Sequence, residues 1–239
     1  PLYSSAASDV YKRQTLGNGS NDVLELIARA FVTPDNEVIF SQHAFAVYPL
    51  VTRAIGARAV VTPARERGYD LDAILKAITD RTRLIFIANP NNPTGTWLTR
   101  QVLENFLQQV PPQVLVVLDE AYYEYACDPA MGLMDFPDGL QWLPHFPNLI
   151  VTRTFSKAYG LAGLRTGYAV SHPELADYLN RVRQPFNVNH LALAAAATAL
   201  TDTSHLQRSV ALNAAGLQQY YQAFDRLGLD YIPSAGNFV

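Results

Sequence analysis

Val114-Leu115-Val116-Val117-Leu118, running straight into Asp119-Glu120-Ala121-Tyr122, is apolar without alternation and then abruptly polar. Five apolar residues in a row suit a strand covered on both faces, as in the middle of a parallel sheet. The carboxylates and phenol that follow stand where open α/β sheets bind their ligands, beyond the carboxyl end of a strand. Working outward, strand-like runs recur at residues 37–40, 59–62, 84–88, 149–154 and 166–171. Helical spacing separates them, with Leu71, Ile74, Leu75 and Ile78 at i, i+3, i+4, i+7, and Leu103, Phe106, Leu107 and Val110 repeating it. This alternation predicts an α/β fold, a wound and mostly parallel sheet flanked by helices.

Residues 1–14 (PLYSSAASDVYKRQ) have no usable period and break sharply into Thr15-Leu16-Gly17-Asn18-Gly19. They read as a stretch foreign to the domain that follows and are set aside from the fold. Residues 15–203 read as one large domain. After Pro173 the pattern is helix upon helix, and residues 204–239 read as a connecting helix followed by the incomplete start of a smaller domain. Within that tail, 229–233 reads as the start of a strand and 234–237 as a turn, so the chain reads as a fragment.

Composition narrows the function. The 239 residues are 49% hydrophobic and only 16% charged, against a usual charged share of about 25%, so disorder is excluded and a large core is expected. A net charge of -3 with no basic run argues against nucleic acid. The longest apolar run, LALAAAATAL at 191–200, is about half of the ~20 residues a membrane span needs and reads as an ordinary buried helix. The single cysteine, Cys127, and the lack of any Cys/His cluster point to a reducing, cytoplasmic setting with no metal.

Three strand ends carry the chemistry. One runs into Asn89-Pro90-Asn91-Asn92-Pro93-Thr94-Gly95, one into Asp119-Glu120-Ala121-Tyr122, and one into Arg153-Thr154-Phe155-Ser156-Lys157. A fourth stretch, Gly17-Asn18-Gly19-Ser20-Asn21, is read as opening a helix rather than closing a strand. Lysine is scarce: Lys12 lies in the excluded stretch, Lys76 on a solvated helix face, and Lys157 alone at a strand end.

A lysine amine is a natural partner for an aldehyde cofactor, because it can bond the aldehyde and later carry a proton. Pyridoxal phosphate is that aldehyde, and each of its other needs has a candidate. Asp119 could hold the ring nitrogen protonated, and Asn92 and Tyr122 could donate to the phenolic oxygen. Arg165, the Ser156 hydroxyl and the amides of Ser20 and Asn21 at a helix N-terminus could hold phosphate. Phe45 or Tyr48 could stack on the ring.

The runs PNNPTG (90–95), DEAYYEY (119–125), TFSKAYGLAGLRTGY (154–168) and RVRQPFNVN (181–189) together resemble the fold-type I aminotransferases, most of all histidinol-phosphate aminotransferases. The resemblance implies that Lys157 carries the cofactor, Asp119 pairs its ring nitrogen, Asn92 and Tyr122 hold its ring oxygen, and Phe45 stacks on the ring. Ser20, Asn21, Ser156 and Arg165 would hold the phosphate. It also implies amine and keto-acid substrates, L-histidinol phosphate with 2-oxoglutarate, and a homodimer. Phe45 stands where the family often has tyrosine, and the family's substrate-binding arginine would lie beyond Phe238, so the fragment is expected to be inactive alone. Rival readings are an aromatic or aspartate aminotransferase, a threonine-phosphate decarboxylase, or a non-catalytic cofactor-binding regulator.

Plainer readings of the same residues are available. The Asn89–Gly95 stretch suits an ordinary proline-fixed loop. Asp119-Glu120 suits an N-cap and a surface charge, and Arg165 suits a structural ion pair.

Overall fold

The structure is a computed structural model that describes residues 12–239. In chain order the strands are β1 (Gln14–Gly17), β2 (Glu37–Ser41), β3 (Arg58–Thr62), the short pair β4 (Ala64–Arg65) and β5 (Gly68–Tyr69), β6 (Thr82–Ala88), β7 (Leu115–Asp119), β8 (Leu149–Thr154) and β9 (Gly167–Ser171). The helices are α1 (Ser20–Phe31), α2 (Val47–Ile55), α3 (Leu71–Ala77), α4 (Arg100–Leu107), α5 (Tyr123–Ala126), α6 (Pro173–Val182), α7 (His190–Ala199) and α8 (Thr203–Leu227).

Seven strands form one sheet in the order β1-β9-β8-β7-β6-β2-β3. From β3 to β8 the pairs are parallel, while β9 runs antiparallel to β8 and β1 antiparallel to β9. The expected wound, mostly parallel sheet is thus present, and β7 lies at its centre. Its unbroken apolar run has the predicted cause, since Val116, Val117 and Leu118 are all buried, with alternate residues serving opposite faces. Val117 joins a cluster with α1 and α2, including Leu24, Ile27, Tyr48 and Phe86. Val116 and Leu118 join the cluster on the other face, with Ile74, Leu103 and Phe106 from α3 and α4.

The structure departs from the sequence expectations in four places. The stretch at 17–21 both closes a strand and opens a helix, because Gln14–Gly17 pairs with residues 167–170 of β9. Of the stretch read as foreign, residues 1–11 lie outside the described residues. Arg13 and Gln14 engage β9, the Arg13 carbonyl accepting from the Ser171 N–H. Residues 229–233 form no strand; Tyr231 instead stacks on Tyr221 of α8 at 4.9 Å between centroids. The alanine-rich α7 is not a buried helix: Leu191 and Leu200 are mostly exposed, Leu193 is half-buried, and only Ala192 and Ala196 are buried. Among the described residues, no helix is long and apolar enough to cross a membrane.

Candidate functional site

The carboxyl ends of β6, β7 and β8 and the N-terminus of α1 surround one cleft, with about 620 Å³ of empty space. Ser20, Asn21, Phe45, Asn92, Asp119, Tyr122, Ser156, Lys157 and Arg165 all line it. These nine are among the residues singled out from the sequence, and the fold brings them to the same place; Tyr48, also singled out, does not line the cleft.

Asp119 is the last residue of β7, buried at the floor. Thr152, its cross-strand partner on β8, donates its hydroxyl to Oδ1 at 3.0 Å, and Tyr48 donates to Oδ2 at 2.9 Å. Burial pushes the Asp119 carboxyl above its ordinary value, while these two hydroxyls, the Ala121 N–H and the charge of Lys157 pull it back down. Tyr48 is therefore not a ring that stacks in the cleft. Its ring lies face to face with Phe86, 4.5 Å between centroids and 2° from parallel, fully buried beneath the floor. Of the two rings considered for stacking, Phe45 is the one that reaches the cleft, set edgewise on Tyr48 at 5.8 Å.

Asp119 and Glu120 turn to opposite sides, as consecutive residues of an extended chain must. The surface charge expected at Glu120 is instead fully buried. Arg153 places Nε and Nη2 on Oε2 at 2.9 and 2.7 Å, and the Gly139 N–H occupies Oε1 at 2.8 Å. Arg153 also reaches Asp138 at 2.7 Å and lies 3.6 Å from the centre of the Tyr123 ring. This buried charge cluster fixes the turn that leads from Asp119 to Tyr122, and the sequence reading missed it.

The asparagines after β6 divide the work. Asn89 exchanges hydrogen bonds with the backbone of Leu98, and Asn91 donates to the His43 carbonyl and the Thr94 hydroxyl. Asn92 alone turns to the cleft, where Nδ2 donates to the Tyr122 hydroxyl at 2.9 Å. The loop is thus more than a proline-fixed turn. Beneath it the Tyr69 hydroxyl, another residue the sequence did not reveal, accepts from the Ala88 N–H at 2.8 Å.

Lys157 follows β8, with Nζ 5.0 Å from the centre of the Tyr122 ring. Among the described residues it forms no salt bridge, and neither does Arg165. The ion-pair role considered for Arg165 is thus not seen. Its guanidinium donates to the Ala162 carbonyl at 3.0 Å and lies over Gly19. Gly19 has φ of +85°, which favours glycine, and a Cβ there would come within 2.5 Å of Arg165 Nη2 and displace the guanidinium from the cradle. No side chain caps α1, which leaves its first amides free for an anion beside Arg165 and Ser156. Asp22, the acid of that first turn, is occupied by the Asn18 N–H and the Asn187 amide.

The cleft therefore joins an uncompensated amine, a buried carboxylate, a phenol–amide pair and a cationic cradle at a helix N-terminus. The sequence profile of the family described as aminotransferase class I and II matches residues 5–239. The chain belongs to that family. Among its relatives, histidinol-phosphate aminotransferase 2 of Pseudomonas fluorescens Pf-5 is 63% identical over 225 residues, covering 94% of this chain and 60% of the relative. Histidinol-phosphate aminotransferase 1 of Idiomarina loihiensis is 58% identical with the same coverage. The crystal structure of histidinol-phosphate aminotransferase from Sinorhizobium meliloti, in complex with pyridoxal 5'-phosphate, superposes with a TM-score of 0.88 at 32% identity. That match covers 97% of this chain and 62% of the other. The chain thus spans about 60% of the length of the curated aminotransferases it matches.

Proposed function

We propose that this chain is the cofactor-binding part of a pyridoxal-phosphate-dependent transaminase that exchanges an amino group between L-histidinol phosphate and 2-oxoglutarate in histidine biosynthesis. The convergence of Lys157, Asp119, the Asn92–Tyr122 pair and the Arg165 cradle in one cleft carries this reading. The names of relatives about 60% identical support the choice of substrate.

The residues fit the cofactor. The cradle at Gly19, with Arg165, Ser156 and the Ser20 and Asn21 amides, offers cations and donors for phosphate. Asp119 would face the ring nitrogen, Asn92 and Tyr122 the phenolic oxygen, and Phe45 the ring. When bound, pyridoxal phosphate supplies an aldehyde carbon that bonds amines and a ring that withdraws electrons. Lys157 Nζ is the base placed to take a proton from the amine-bearing carbon of the substrate and to return one. Asp119, ionised, keeps a proton on the ring nitrogen. Tyr122 and Asn92 would donate to the cofactor's phenolic oxygen.

The complete protein is proposed to be a cytoplasmic homodimer, in keeping with a single cysteine in 239 residues and with the exposed apolar side chains Phe186 and Leu191. The test is to incubate the chain with pyridoxal phosphate, reduce with borohydride and map the modified peptide, with Lys157→Ala as control. Label confined to Lys157 is expected; label spread equally over Lys12, Lys76 and Lys157, or none, overturns the cofactor assignment. Amino transfer from histidinol phosphate in preference to phenylalanine or aspartate, measured on the complete protein, then decides the substrate, and the reverse preference points to another transaminase.

A further inference from the structure

Residues 234–238 pack against Gly95, in the loop that carries Asn92, and against the ring of Tyr122. The segment is tied to three residues outside it, Tyr221, Asn213 and Gly95, and once to itself. The Ser234 N–H donates to the Tyr221 hydroxyl at 2.8 Å, and the Gly236 N–H to Ser234 Oγ at 3.0 Å. The Asn213 amide of α8 donates to the Gly236 carbonyl at 3.0 Å, and the Ala235 N–H to the Gly95 carbonyl at 2.9 Å. Ser234 and Ala235 are buried. Ser234 also packs so tightly on Gly95 that a side chain at 95 would collide with it, and Gly95 has φ of +73°. Gly95 belongs to the loop that carries Asn92.

Further along, Phe238 meets the Tyr122 ring at 5.2 Å between centroids and 78° between planes, the near-perpendicular arrangement that aromatic pairs favour. Phe238 packs against the small cluster of Tyr122, Tyr125, Ala158 and Val210. Tyr122 is thus bounded by α5, by the residue after Lys157, by α8 and by Phe238. The first three are regular elements or tight turns, whereas Phe238 arrives from a segment without secondary structure.

We propose that residues 234–238 position the Asn92–Tyr122 pair, and that Phe238 sets the angle of the Tyr122 ring and so the direction of the hydroxyl facing the cleft. Phe238 is a positioning residue, acting only through Tyr122. The phenol oxygen lies on the long axis of its ring, so a spin about that axis leaves it in place, whereas a modest tilt of the whole side chain at Cβ carries it out of hydrogen-bond range. The inference rests on the cofactor assignment above, because it is the cofactor's phenolic oxygen that would feel the change.

The experiment titrates the absorbance of the protein-bound cofactor with pH. A hydroxyl donating to the phenolic oxygen stabilises negative charge there and weakens its hold on the proton shared with the Lys157 nitrogen, so a loosened Tyr122 raises the midpoint. Phe238→Ala and the less drastic Phe238→Leu, which keeps an apolar side chain but no ring, are each expected to raise it by roughly half a pH unit, in keeping with the strength of an aromatic edge contact. Tyr122→Phe is expected to raise it more, and Phe238→Leu in the Tyr122→Phe background is expected to add nothing. An unmoved midpoint in Phe238→Leu, or a shift that persists without the Tyr122 hydroxyl, overturns the inference. Absence of any Lys157-linked absorbance in the unmodified protein refutes the cofactor assignment instead, so the two failures are distinct.

Discussion

Replacing Tyr48 by phenylalanine removes one oxygen atom from beneath the cleft and leaves the packing in place. The ring stays stacked on Phe86, so no cavity opens. What is lost is the 2.9 Å hydrogen bond to Asp119 Oδ2, while the Thr152 hydroxyl still serves Oδ1. A hydrogen bond to a charged acceptor in a buried place is worth about 1.5–3 kcal/mol. Part of that is regained by relaxation, and about 1.4 kcal/mol corresponds to one pH unit or a tenfold change in an equilibrium. The sign follows from the balance at Asp119, where burial raises the carboxyl pKa and the Tyr48 bond opposes it. Without Tyr48 the pKa rises further, so the neutral form persists to higher pH. Binding of pyridoxal phosphate requires the ionised form to face the ring nitrogen, so its loss on acidification should begin about one pH unit higher in Tyr48→Phe. Above both pKa values, where Asp119 is ionised in either protein, the affinities should converge. Equilibrium titrations of cofactor absorbance between pH 5 and 8 on both proteins decide the matter. Superposed acid limbs would show that Tyr48 does not set the charge of Asp119.

Two further predictions concern groups beside the site. Glu120→Gln leaves Arg153 buried with only the rim carboxylate of Asp138, and unfolding in urea should show a loss of about 3–5 kcal/mol; a loss below about 1 kcal/mol would mean the pair is dispensable. Glu124 is buried with Oε2 unpartnered among the described residues, and burial pushes its carboxyl up to about 7. Its contribution to stability is fully present below the ordinary carboxylate value of 4.5 and is lost as pH rises through about 7. Glu124→Gln should therefore flatten the fall in stability between pH 5 and 8 and stabilise the protein at pH 8 by about 2 kcal/mol. An unchanged slope would refute that assignment.

What could be read from the sequence was whatever depends on local chemistry. The β7 run declares a strand covered on both sides because burial on two faces leaves no polar position to disguise it. Lys157 stood out by scarcity, and Asn92, Ser156 and Arg165 by lying at strand ends or among small residues near Lys157. Roles set by distant partners were hidden. Tyr48 looked like a stacking ring because its acceptor, Asp119, is 71 positions away. Glu120 looked like a surface charge because the arginine that neutralises it comes from the next strand, 33 positions on. β1 escaped notice because four residues with a single apolar side chain, Leu16, have too little pattern to announce an edge strand.

That edge strand governs when the site can exist during folding. The parallel core from β2 to β8 is assembled from successive neighbours, but β1 pairs only after β9 has been laid down. The Asn187 side chain that ties down the Leu16 carbonyl is 171 positions from it. Closing such long loops is entropically costly and slow, and belongs to the late steps of folding. Because β1 hands directly into α1, the anion cradle at Ser20 and Asn21 is completed by this closure. The anion cradle therefore depends on residues synthesised well after the strands that carry Asn92 and Asp119.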